Sequence, residues 1–170
     1  MQPPGEPSTS THPRGSPAGV RGPVPIPIVG LDERDAVRSV ADLEGLDVPP
    51  GAYGMGSLAW LSRALVSPLR DLGPAELRLL VAHGRGLRWL VPAALTRLEI
   101  APFVAGDHHP GDLLVAVLLV DETFWRTHDA LRTRLADVVD DARTRLDELP
   151  EPLRSRLADD LGEARELLGV

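Results

Sequence analysis

From Leu31 to the C-terminus, the apolar residues of this chain recur three and four positions apart, in short segments divided by Pro and Gly. That spacing lines one face of a helix, whereas a strand would alternate at every second position. Leu87, Leu90, Val91, Ala94, Leu95 and Leu98 form a complete helical stripe. Leu131, Leu135, Val138, Ala142, Leu146 and Leu149 form a second. Leu153, Leu157, Leu161, Ala164 and Leu168 form a third, and Pro150 and Pro152 between the last two predict a helical hairpin. Aromatic residues make up only 4% of the chain, so Leu, Val and Ala must fill the core, and Leu favours helix. The expected fold is therefore all-α, a compact bundle of about six to eight helices.

Local signals place the other segments. Asp32 can cap a helix through Val37, Val40 and Leu43, with Gly45 as its stop. Residues 47–56 read as a loop, and Ser57 opens a segment carrying Leu58, Leu61 and Leu65 that Pro68 ends. Gly73-Pro74-Ala75-Glu76 is a helix start, with Pro in the first turn and an acid near the positive end of the dipole. Gly84 and Gly86 break that helix, and Pro92 predicts a kink or a late start in the next. Leu113 to Val120 is continuously apolar. With no strand-like partner in the sequence, it reads as a buried central helix, and Asp121 caps a short helix with Phe124 and Trp125. Trp60, Trp89 and Trp125 are expected as core anchors.

The first 28 residues are different. They hold eight prolines with Gly5, Gly15, Gly19 and Gly22 among them, which excludes helix and points to a disordered tail. The domain reading is a proline-rich tail over 1–28 and one helical domain over 29–170. Residues 1–28 lack the basic start and apolar run of a signal peptide, and the run from Leu113 to Val120 is far short of a membrane helix, so the expected location is the cytoplasm.

Charge and composition exclude several functions. Cysteine is absent, which removes disulfides, thiolate metal sites and Cys nucleophiles. The net charge of −7 opposes non-specific nucleic-acid binding, and the arginines are scattered among acids rather than gathered in a stripe. Residues 137–170 carry ten acids against five arginines, so this end holds −5 of the total and could steer a basic partner. No phosphate-loop pattern is possible without Lys, and no serine sits in a nucleophile elbow. The strongest chemical cluster is Gly106-Asp107-His108-His109-Pro110-Gly111-Asp112. Two His and two Asp could ligate a divalent metal, although adjacent side chains in a turn point apart and a helix-capping turn is the simpler reading. No cofactor is expected.

Taken in order, several stretches carry more than spacing. They are Val37-Arg38-Ser39-Val40-Ala41-Asp42-Leu43-Glu44-Gly45, Ser67-Pro68-Leu69, Leu77-Arg78-Leu79-Leu80, Gly86-Leu87-Arg88-Trp89-Leu90-Val91-Pro92-Ala93-Ala94-Leu95, Gly106 to Leu118, and Phe124-Trp125-Arg126-Thr127-His128. Across about residues 37–146, this series resembles the immunity proteins of contact-dependent growth inhibition and related polymorphic toxin systems. Within the pattern, Gly106, Asp107, Pro110, Gly111, Asp112, Phe124, Trp125 and His128 stand at motif positions. Ser67 replaces a usual Lys, Val81-Ala82-His83 replaces an Ile-Gly-Gln-like stretch, and His109 replaces a usual aromatic.

The resemblance implies a non-enzymatic antidote that binds the C-terminal toxic domain of a cognate effector. Many such toxins are nucleases with basic sites, which an acidic inhibitor complements. Expected contact residues are Asp121, Glu122 and Trp125 beside one turn, and Asp137, Asp140 and Asp141 on the acidic hairpin. Two alternatives stay open here. One is a metal-dependent enzyme or metal-binding protein using Asp107, His108, His109 and Asp112; the other is a helical adaptor that works through the proline-rich tail.

Overall fold

The computed structural model describes residues 31–49 and 57–168. The proline-rich tail, and most of the loop expected before Ser57, lie outside them. The described residues form nine α-helices and two 3-10 turns, with no strand, so the all-α reading holds. The helices are α1 (Glu33–Ala36), α2 (Val40–Glu44), α3 (Ser57–Val66), α4 (Pro74–Ala82), α5 (Leu87–Ile100), α6 (Asp112–Leu118), α7 (Glu122–Arg126), α8 (Asp129–Thr144) and α9 (Leu153–Leu168).

The helix expected from Asp32 to Gly45 is two helices, not one. Ser39 accepts from the Asp42 amide at 3.1 Å while the Asp42 carboxylate accepts from the Ser39 amide at 3.0 Å, so a reciprocal cap starts a new helix there. The Arg38 carbonyl is thereby freed to accept from the amide of Leu69 at 2.9 Å, which ties this break to the 3-10 turn Leu69–Asp71. Pro92 does not delay α5. The helix starts at Leu87 and runs through it, one backbone bond short.

α6 is the centre of the bundle. Leu113, Leu114 and Val117 are fully buried, and α6 packs on α4, α5 and α9. α3 packs on α4, and α8 packs on both α5 and α9. One core runs from Val40 to Ala164 and is built mainly of leucine. The N-terminal helices are locked on by polar contacts. Glu44 accepts from the Gly86 amide at 2.6 Å, and the Trp89 indole donates to Asp35 at 3.1 Å. Gly86 needs its left-handed φ of 61°, and a methyl there would come within 2.9 Å of Val40. Among the described residues, no helix is long and apolar enough to cross a membrane.

Candidate functional site

The polar turn before α6 is built around one carboxylate. Asp112 is buried at the first position of α6 and folds back over the turn. Its Oδ1 accepts from the Gly106 amide at 2.5 Å, and its Oδ2 accepts from the amides of Asp107 and His108 at 3.1 and 2.9 Å. Burial pushes the Asp112 carboxyl up, but the backbone N–H groups of Gly106, His108, Asp107 and His109 together hold it below its ordinary value. Gly111 turns the chain into the helix with a φ of 85°, against Leu157 of α9.

α4 supplies the counter-charge. The Arg78 guanidinium pairs with Asp107 and stands 3.9 Å from Asp112. His108 faces Asp107, with Nδ1 2.8 Å from its carboxylate, whereas the His109 ring turns to the Pro110 carbonyl at 3.0 Å. The two imidazoles therefore do not converge. Asp107, His108 and Asp112 do bring ligand-type atoms within 4.8 Å of one another. The donor set does not fit a dication, however. Both Asp112 oxygens already accept backbone N–H groups, and the space beside Asp107 holds a guanidinium. A metal ion would have to displace that positive charge or sit against it. This cluster is a turn lock that joins α4 to α6.

The second motif surrounds α7. Asp121 caps the helix by accepting from the Thr123 amide at 2.7 Å, and the Thr123 side chain first, then this amide, hold its carboxyl below the ordinary value. Phe124 packs edge-on to Trp125, with centroids 5.2 Å apart, and stacks on His128 at 4.1 Å. The Trp125 indole donates to the Val120 carbonyl at 3.1 Å. Trp125 is thus buried as a core anchor and is a poor contact residue for a partner, contrary to the surface role expected for it. It backs a groove of about 330 Å³ shared with Leu118, Glu122 and Arg126.

The charged candidates are at the surface. Asp121 and Glu122 are exposed at the start of α7. Asp137, Asp140 and Asp141 are exposed along α8, where positions three and four apart share a face, and Asp141 pairs with Arg145 at 3.2 Å. The structure keeps these two groups on separate helices.

Sequence reasoning missed two features. Arg97 is buried on the inner face of α5, seven positions after Leu90 and three after Ala94, a register on the apolar stripe that its charge masked. Trp60, expected in the core, is 65% exposed on α3. It borders the larger groove, about 710 Å³, which runs between α3 and α4 to the 106–112 turn. Its periodicity gives the reason: Ala64 and Leu65 take the buried face of α3, and Trp60 falls at the edge of that stripe.

These features define a helical scaffold whose conspicuous central polar residues are committed to holding helices together. The model of a family described as CDI immunity proteins matches residues 53–135. Through that segment, just under half of its length, the chain is similar to the CDI immunity proteins. The match takes in the Asp112 turn and the Phe124–His128 cluster. No curated protein and no solved structure matches the chain.

Proposed function

We propose that this protein neutralises a cognate toxin domain by binding it in the cytoplasm of the cell that makes it. The similarity of residues 53–135 to the CDI immunity proteins carries this reading. The turn chemistry supports it, because the Asp107–Asp112 cluster is occupied by internal hydrogen bonds and an arginine. Inhibition by occupation requires a rigid scaffold and a complementary surface, and no reacting group.

The partner in this reading is the C-terminal domain of a toxin with a basic surface, such as a nuclease. The exposed acids Asp121 and Glu122 on α7, and Asp137, Asp140 and Asp141 on α8, would steer it. The protein's own acidic balance of −7 opposes direct binding of nucleic acid.

The test is co-expression with the toxin domain encoded beside this gene. Protection of the host cell and co-purification of a complex are expected, with association slowed as salt is raised. Removal of residues 1–28 should leave protection intact. Toxicity undiminished by the full chain would end the proposal.

A further inference from the structure

The groove beside Trp60 is a surface that the fold leaves ready for a partner. Trp60 exposes 65% of its area, although tryptophan is among the most costly side chains to leave in water. Ala64, Leu72, Ala75 and Leu79 supply apolar wall, so the ring stands at the edge of a partly apolar trough. A volume of about 710 Å³ holds several side chains and not merely one.

Charge decides what fits. Three carboxylates open onto the groove: Asp71 and Asp107, with side chains 56% and 42% exposed, and Glu76, which caps Gly73 at 3.0 Å. Two guanidinium groups also line it. Arg78 is only 18% exposed beneath Asp107, which leaves Arg63 as the exposed cation of the lining, and Arg70 stands beside Asp71 at 3.8 Å. The imidazoles of His83 and His108 complete the polar rim. Within the lining, a partner therefore meets an aromatic face next to two exposed carboxylates, Asp71 and Asp107, and one exposed cation, Arg63. An arginine or lysine complements ring and carboxylates, its stem on the ring and the apolar wall and its head on the acids.

The position of the groove supports the same occupant. Every described residue that lines it falls within residues 53–135, the segment shared with the immunity family, whereas Asp137, Asp140 and Asp141 fall outside. We propose that the groove between α3 and α4 receives a basic segment of the toxin domain, with Trp60 as its anchoring ring. This rests on the toxin-binding reading above. It separates two tasks: the acids of α8 speed encounter, and the Trp60 groove holds the complex once formed.

The experiment measures association and dissociation rates of the full chain with the toxin domain encoded beside it. Trp60→Ala should weaken binding about 30-fold or more, mostly through faster dissociation. Trp60→Phe, which keeps a ring in place, should stay within about fivefold of wild type. Asp71→Lys should weaken binding about tenfold. Joint reversal of Asp137 and Asp140 to Lys should slow association while leaving dissociation within about twofold. Because Trp60 is exposed, thermal melting of its variants should match wild type; if Trp60→Ala melts lower, Trp60→Phe and Asp71→Lys decide the matter. Dissociation of both Trp60→Ala and Asp71→Lys within twofold of wild type would overturn the groove. So would a Trp60→Ala effect on self-association, seen by light scattering, with toxin affinity unchanged. A wild-type chain that fails to bind the toxin domain is a different result, and removes the toxin reading itself.

Discussion

The guanidinium of Arg97, 3% exposed on the inner face of α5, donates through Nη2 to the carbonyl of Leu72 at 2.9 Å. That carbonyl ends the 3-10 turn between α3 and α4, so one side chain ties α5 to the connection before α4. The other terminal nitrogen, Nη1, is buried without a hydrogen-bond partner, and burial lowers the pKa of the group. A buried cation held by a single neutral acceptor contributes little net stability, since its desolvation offsets the bond.

Arg97→Met should therefore change stability by no more than about 1 kcal/mol, because it keeps the volume and removes the charge. Arg97→Ala should cost about 2–4 kcal/mol, since the buried stem is lost as well. Urea denaturation of the two variants checks the contrast. Equal destabilisation would show that the charge, not the packing, matters.

Asp112 and His108 separate a structural turn from a chemical site. Asp112→Ala strands three backbone N–H groups in a half-buried turn and should cost about 2–4 kcal/mol. His108→Ala, at a side chain 60% exposed, should stay within about 0.5 kcal/mol. A divalent metal should not raise the melting temperature of the wild-type protein. A metal-dependent rise lost in His108→Ala would revive a metal role.

The same carboxylate makes stability depend on acid. Asp112 is held below its ordinary value in the folded state, so its contribution is fully present above the unfolded carboxyl range. That contribution is lost as pH falls through the lowered folded value. Asp42 and Asp121 are shifted the same way, the first mainly by hydrogen bonds from Ser39 and the second by those from Thr123. Melting temperature should be flat from about pH 7 to pH 5 and fall below about pH 4. Asp112→Asn should melt lower at pH 7 and show a shallower acid slope. An unchanged slope in that variant would place the acid response elsewhere.

Two glycines distinguish strain from crowding. Gly45 and Gly86 both sit in the left-handed region, with φ of 66° and 61°. A methyl at Gly45 meets nothing within 4 Å, whereas one at Gly86 comes within 2.9 Å of Val40. Gly45→Ala should cost about 1 kcal/mol for strain alone. Gly86→Ala should cost about 1–3 kcal/mol more, because Val40 must move. Chemical denaturation of the pair measures the difference, and equal losses would mean that the core at Val40 yields freely.

The local codes of this chain were legible without coordinates. Apolar spacing marked the long helices, Gly73-Pro74 and Asp121 marked helix starts, and Gly84 and Gly86 marked a break, because each acts through backbone geometry a few residues away. The Asp112 turn was visible as a capping turn for the same reason. What folding alone decided were contacts between distant positions. Ser39 and Asp42 could cap a helix in isolation, but the break before them is also held by Leu69 bonding to Arg38. Arg78 reaches Asp107 across 29 positions and Arg97 reaches Leu72 across 25, pairings that no local pattern encodes. The exposure of Trp60 and the burial of Trp125 likewise depended on which helix faces found neighbours. Helix formation is written in short-range sequence, whereas the sites that meet a partner arise where packing leaves side chains uncovered.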